Sequence, residues 1–159
     1  MITAIDSNIL YDILGDDVDF SQISQNSVQK QSQQGGLIIS PIVYAELLVY
    51  FLKKSAVDIA VGKLKEFLQD LGVRVHPFSE QDFVIAAQAW GRFSMRKSVE
   101  CPKCGTENVF VCSKCKHKVS WRNHIMTDFM IGAHAQNNAG CLLTRDRGYY
   151  KKYFQVEII

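Results

Sequence analysis

Four short apolar runs, separated by stretches of helical character, constrain this chain more than any other feature. The runs are Ile2–Asp6, Leu37–Ser40, Val73–His76 and Cys141–Thr144. Asn8–Leu14 reads as a short helix stopped by Gly15. A second helix begins after the second run, with Ser40 as N-cap and Pro41 at the first helical position, and continues to about Lys53. Ala56–Leu71 is a third, closed by Gly72. Glu80–Met95 carries Phe83, Ala86, Ala87 and Trp90 at helical spacing, and His124–Asn138 is a further helix. The Gln- and Ser-rich stretch Ser21–Gln34 reads as a polar helix ended by Gly35-Gly36, with a loose loop as the alternative. Val156–Ile159 is a candidate last strand. Short strands alternating with helices predict a parallel α/β sheet. At 159 residues, one domain spanning 1–159 accommodates all of them.

The acids fall in unusual places on this frame. Asp6 ends the first strand, Asp146 follows the strand Cys141–Thr144, and Glu46 lies in the helix that leaves the second strand. Sites in open α/β sheets form beyond the carboxyl ends of the strands, so all three are expected at one edge. Glu46 has Ile42, Val43, Val49 and Tyr50 as helical neighbours, and Asp128 shares a face with Ile131, Gly132 and Ala135. An ionised carboxylate on such a face costs several kcal/mol unless it is paired or metal-bound. Four gathered carboxylates repel one another. Two divalent cations would neutralise them, and oxygen donors favour Mg²⁺ or Mn²⁺. Such ions activate water and stabilise the leaving oxygen of a phosphodiester. Each acid also has an ordinary reading: Asp6 as a helix cap, Glu46 paired with a buried Lys or Arg, Asp128 as partner of Arg122 or Arg145, Asp146 as a turn residue before Arg147-Gly148.

Four stretches in order carry a resemblance: Ala4-Ile5-Asp6-Ser7-Asn8, Val43-Tyr44-Ala45-Glu46-Leu47, Asp128-Phe129-Met130-Ile131-Gly132-Ala133 and Leu143-Thr144-Arg145-Asp146. In this order and spacing the chain resembles PIN-domain nucleases, and among them the VapC-type toxins of prokaryotic toxin–antitoxin pairs. The resemblance implies a central parallel sheet of order 3-2-1-4-5. It implies catalysis by Asp6, Glu46, Asp128 and Asp146 holding Mg²⁺ or Mn²⁺, with Asn8 and Thr144 in support. It further implies an RNA substrate, a small antitoxin partner and a homodimer. The chain departs from many relatives in having Gly148 where they carry an acid, two residues after the fourth carboxylate. It departs again in carrying a cysteine segment.

That segment, residues 99–121, is read as an insertion in the single domain. Cys101-Pro102-Lys103-Cys104 and Cys112-Ser113-Lys114-Cys115 are two CxxC turns seven residues apart. Four thiolates at this spacing suit a closed, structural Zn²⁺ site, with iron or a reversible dithiol as the alternatives. The linker Thr106–Val111 reads as a small hairpin whose folding rests on the metal. Cys141, in an apolar strand, reads as a buried bystander.

Charge is uneven. Residues 92–122 hold eight of the 18 Lys and Arg against two of the 16 acids, which is +6 here and −4 over the rest. A zinc tetrathiolate would lower the +6 to about +4, so an excess remains. Arg96, Lys97, Lys114, Lys116, Lys118 and Arg122, with Trp121 to stack on a base, are the expected RNA contacts. The most apolar stretch, Leu37–Leu52, is broken by Ser40, Pro41 and Glu46, so no membrane span is expected. Met1 runs directly into the first strand with no basic leader, and a cytoplasmic location is expected. The reading is therefore a metal-dependent endoribonuclease, the toxin of a type II toxin–antitoxin pair. The alternatives are a PIN-type nuclease of ribosomal RNA maturation and a non-catalytic RNA-binding protein.

Overall fold

A computed structural model describes residues 1–94, 99–100, 106–116, 118–119 and 126–159. Its centre is a five-stranded sheet of β1 (Ile2–Ile5), β2 (Gly36–Ile39), β3 (Val73–Val75), β4 (Cys141–Leu143) and β5 (Glu157–Ile158). Every pairing is parallel and the spatial order is 3-2-1-4-5, as expected from the sequence. Ala4, Ile5, Leu37, Ile38, Ile39, Cys141, Leu142 and Leu143 are all buried, so β1, β2 and β4 are covered on both faces. Cys141 is fully buried, with Sγ 3.2 Å from Thr3 Oγ1.

The helices are α1 (Ser7–Leu14), α2 (Ser21–Gln34), α3 (Pro41–Leu52), α4 (Val57–Asp70), α5 (Glu80–Ser94), α6 (Met126–Asn138) and α7 (Arg147–Tyr153). Ser40 caps α3 as expected, its Oγ accepting from the Val43 N–H at 3.3 Å, and Gly72 takes the positive φ of 67° that ends the turn after α4. The polar stretch Ser21–Gln34 is a helix for a reason its composition hides. Ser21, Ser24, Val28 and Gln31 form its buried stripe. Ser24 Oγ donates to Asp12 at 2.7 Å, and Gln31 Oε1 accepts from Thr3 Oγ1 at 3.2 Å. Polar contacts replace apolar burial, while Ile23 is left exposed.

Three expectations are corrected. Of the expected apolar residues of α5, Ala86 is buried and Trp90 packs against Phe129, but Phe83 and Ala87 are exposed; the fully buried residues are Asp82, Ala86 and Ala89. Asp82 draws the helix round: its carboxylate accepts from the Ser79 N–H and hydroxyl at 2.6 and 2.9 Å, and from the Asn137 and Asn138 amides at 3.0 and 2.9 Å. Burial raises its pKa, but these bonds outweigh burial and hold the carboxyl below the usual range. The alternative reading of Asp146 as a turn residue does not hold, since Arg147 begins a helix, α7. The linker Thr106–Val111 is not itself a hairpin. Residues 107–108 pair antiparallel with 99–100, and 110–111 with 118–119, so the linker gives one strand to each of two hairpins.

Asp82 joins the first turn of α5 to the last turn of α6, so these two helices run antiparallel. Asp82→Ala removes four hydrogen bonds to a charged acceptor, leaving the Asn137 amide only Ser79 Oγ and the Asn138 amide only the His134 carbonyl. It is expected to lower stability by about 2 kcal/mol in a denaturant titration, whereas Ser79→Ala costs less because one of the two Ser79 donors is the backbone.

Candidate active site

The register of the sheet brings the first two residues of the site together. Ile5 pairs with Leu143, and the Asp6 N–H continues the ladder to the Leu143 carbonyl at 3.0 Å. Asp6 and Thr144 therefore leave adjacent parallel strands side by side. Thr144 Oγ1 donates to Asp6 Oδ2 at 2.7 Å, and the Asn8 amide donates to the same oxygen at 3.0 Å and to Thr144 Oγ1 at 3.1 Å. Asp6 Oδ1 accepts from the Ser7 N–H at 2.8 Å, so Asp6 also caps α1. The ordinary role for Asp6 is real, and it coexists with the placement at the strand edge.

Burial dominates the electrostatics of this corner. Asp6 is buried, and desolvation pushes its pKa up to about 6 against the pull of the Thr144 and Ser7 hydrogen bonds. The negative charges of Glu46 and Asp128 push in the same direction. Glu46 is half-buried and its pKa is raised, first by burial, then by Asp128, with a hydrogen bond from Ser7 opposing. Its Oε2 is buried with no hydrogen-bond partner. An orphaned carboxylate oxygen in the field of two other acids is a poor way to stabilise a fold, since unpaired buried polar atoms cost about 1–3 kcal/mol.

Asp128 stands in the first turn of α6, and Asp146 occupies the residue before α7, with its N–H on Thr144 Oγ1 at 3.1 Å. Tyr149 and Tyr150, buried on α7, tie all but Glu46 together. Burial raises both phenols, and the charges of Asp6, Asp128 and Asp146 raise them further. The structure thus brings Asp6, Glu46, Asp128 and Asp146 into one electrostatic neighbourhood, with Asn8 and Thr144 bonded to its centre. Among the described residues no three His, Cys, Asp or Glu side chains are gathered tightly enough to form a ready ligand set for a metal. The donor chemistry nevertheless fits a hard divalent cation: carboxylate oxygens, one of them unpartnered, with burial opposing the ionisation of Asp6 and Glu46.

Sequence reasoning did not single out Ser7, Tyr149, Tyr150 or the Asp12–Arg145 pair. Arg145, one ordinary candidate as a partner for Asp128, instead binds buried Asp12 at 2.8 Å and lies 4.4 Å over the Phe20 ring. It fastens the loop between Thr144 and Asp146 to the first two helices.

Of the expected zinc ligands, Cys101 and Cys104 lie outside the described residues. Cys112 and Cys115 form no disulfide and flank one turn, in which the Lys114 and Cys115 backbone hydrogen bonds lower the Cys112 thiol pKa. Of the expected RNA contacts, Arg96, Lys97, Trp121 and Arg122 lie outside the described residues. Lys114 and Lys116 are exposed on the second hairpin, and Lys118 is in its return strand. Among the described residues no helix is long and apolar enough to cross a membrane.

The comparisons agree with this geometry. No curated protein sequence matches the chain. The solved structure of VapBC2 from Rickettsia felis, bound to a DNA fragment from their promoter, matches with a TM-score of 0.65 at 19% identity, covering 100% of this chain and 98% of that one. VapBC-1 from nontypeable Haemophilus influenzae matches with 0.65 at 18%, covering 100% and 97%. Mycobacterium tuberculosis VapC20, a Sarcin-Ricin loop cleaving toxin, matches with 0.52 at 11%, covering 96% of each. At these identities the likeness is one of fold. The PIN domain model matches residues 3–155, nearly the whole chain, and the chain therefore belongs to the PIN domain family.

Proposed function

We propose that this protein is a divalent-metal-dependent endoribonuclease and the toxin of a type II toxin–antitoxin pair. The observation that carries the proposal is the orphaned Glu46 Oε2 beside a buried Asp6 whose pKa is raised to about 6, with Asp128 and Asp146 alongside. Asp6, Glu46, Asp128 and Asp146 are the residues that would hold Mg²⁺ or Mn²⁺. When bound, such an ion supplies charge neutralisation and an activated water for phosphodiester hydrolysis. The chain's own part is preorganisation. Thr144 and Asn8 fix Asp6, Ser7 orients Glu46, and the tyrosine wall excludes water from one side.

RNA as substrate is supported by the basic segment and its attachment. Because α5 and α6 are antiparallel, Ser94 and Met126 lie at the same end of the pair. The insert leaves and returns beside Asp128, two residues into α6. We further propose that Cys101, Cys104, Cys112 and Cys115 hold a structural Zn²⁺. The Cys112–Cys115 turn lies between two antiparallel strands and favours a thiolate, while Cys101 and Cys104 supply the matching CxxC spacing. Similar folds solved as VapBC and FitAB complexes support a small protein partner. The paired CxxC motifs favour a second role, processing of structured RNA, within the same chemistry.

The test is cleavage of total RNA with Mn²⁺ and mapped ends. Asp6→Asn and Asp128→Asn are expected to lose cleavage; unchanged cleavage in both would show the site to be elsewhere. For the zinc, less than about half an equivalent per chain in carefully purified protein would rule out the Cys₄ assignment. A small neighbouring reading frame with a DNA-binding N-terminus separates toxin from processing enzyme.

A further inference from the structure

Helix α7 starts at the acids and ends in a basic groove. Its buried side holds Tyr149, Tyr150 and Tyr153. Its exposed side carries Gly148, Lys151, Lys152 and, just past its end, Gln155, at the i, i+3, i+4, i+7 spacing of one helical face. At the far end an open groove of about 420 Å³ lies between α5, α6 and the end of α7, lined by Gln88, Arg92, Gln136, Lys151, Lys152 and Gln155 among others. Arg92 donates one N–H to the Tyr153 carbonyl at 3.0 Å. A guanidinium has five donors in a planar fork, so most of its capacity still faces the groove.

The near end is open as well. Gly148 has empty space where a side chain would stand, so no charge intervenes at this position. An acid at this point would repel a polyanion crossing from Asp146 to Lys151. Without it, the exposed face of α7 grows more positive with distance from the carboxylates among the described residues. The length is suitable. Seven residues of helix rise about 10 Å, which is about three nucleotides at the duplex rise of about 3.4 Å and fewer in an extended strand.

We propose that Lys151, Lys152 and Arg92 form a phosphate-binding subsite for the flank of a single-stranded RNA whose cleaved bond lies at the acids, with Gly148 as the open step between. This rests on the ribonuclease reading above and adds the path of the strand. The groove suits phosphate more than a base. Its lining is mostly cationic and amide; Ile85, Tyr153 and Phe154 complete it, but the two aromatic rings are largely buried in the core. Glutamine amides beside the cations offer further donors to phosphate oxygens.

The test measures binding apart from cleavage. A fluorescein-labelled twelve-nucleotide oligouridylate is titrated with the full-length protein in chelator, at several salt concentrations. Lys151→Gln/Lys152→Gln is expected to weaken binding about tenfold and to reduce the salt slope by about 1.4, two phosphates at roughly 0.7 each. Lys151→Arg/Lys152→Arg is expected to bind as the parent does, which shows that charge is responsible and that the helix survives. Equal affinity and slope in the parent and the Gln variant would overturn the subsite, as would failure of the parent to bind the oligonucleotide. The enzymatic reading stands or falls separately, on whether cleavage depends on Asp6 and Asp128. A chain that cleaves RNA through its acids but binds it identically without the two lysines has the proposed function and lacks this path.

Discussion

Asp6→Asn is expected to stabilise the metal-free protein by about 2 kcal/mol at pH 7 while reducing RNA cleavage by at least about 100-fold. The first half follows from burial. The folded-state pKa of Asp6 is about 6, against an ordinary 3.8. Between those values the folded chain keeps a proton that the unfolded chain has released. Stability is therefore full below pH about 4 and falls as pH rises through about 6. A shift of about two units corresponds to about 3 kcal/mol. The raised pKa of Glu46 acts in the same direction. Asparagine carries no charge to desolvate, but its single side-chain oxygen keeps only one of the two acceptors, either for the Ser7 N–H or for Thr144 and Asn8, which offsets about 1 kcal/mol of the gain. Its stability should fall less steeply than the parent's across this window, with Glu46 still contributing. The second half follows from function. An interaction that stabilises a developing charge is worth about 10²–10³ in rate, and asparagine is a much weaker ligand for a hard cation. Urea titrations at pH 4, 5, 6 and 7 in chelator, with and without added Mn²⁺, read both. In the parent, Mn²⁺ should restore stability at pH 7; in the variant it should do little. A parent whose metal-free stability rises from pH 4 to pH 6 would contradict the account.

That opposition of stability and activity also explains what was legible in the sequence. The four strands were visible because a buried parallel strand is apolar along its length, and Leu37–Ile39 or Cys141–Leu143 admits little else. The carboxylates were visible because an acid among apolar neighbours has few inexpensive explanations. Asp12 and Asp82 show the limit of that logic. Both are buried, and neither belongs to the site. Arg145 and Ser24 satisfy the first, and Ser79, Asn137 and Asn138 the second. Arg145, Asn137 and Asn138 lie far away in sequence, and no local pattern marks them, whereas Ser79 stands three residues before Asp82 in a capping arrangement. The face of α5 was misjudged because Asp82 outcompetes Phe83 for the interior once four donors await it. Helix α7 was missed because Arg147-Gly148 reads as a turn, and seven residues are too few for a clear period. Its burial is decided by Phe129, whose ring lies 5.2 Å from Tyr149 and 5.5 Å from Tyr153. Ser7 escaped notice because a serine after a helix cap is unremarkable until Glu46 is placed opposite it.

Gly132→Ala is expected to lower stability by about 3 kcal/mol, although alanine is the better helix former. Gly132 lies inside α6, four residues after Asp128, and is buried. A Cβ there would sit 2.3 Å from Phe154 Cε2, with two more ring atoms within 2.7 Å. The Phe154 ring cannot simply swing away. It is 5% exposed and packs against Phe129 and Tyr150, each at 6.1 Å between centroids. Relieving the clash moves the ring or separates α6 from the segment after α7, a gross cost of about 4 kcal/mol at the upper end for overpacking. The helix gain returns about 1 kcal/mol. For a domain of this size the net loss is a fall in Tm of roughly 6–12 °C. A double-mutant cycle identifies the cause. Phe154→Leu alone should cost about 1 kcal/mol, and Gly132→Ala added to it should cost little more, because the ring it strikes is gone. Additive losses would place the strain elsewhere. Cleavage should respond in parallel. Phe154 follows directly on α7, the helix that presents Tyr149 and Tyr150 to the acids, so Gly132→Ala should lower activity at temperatures where the chain is still fully folded, and Phe154→Leu should restore part of it.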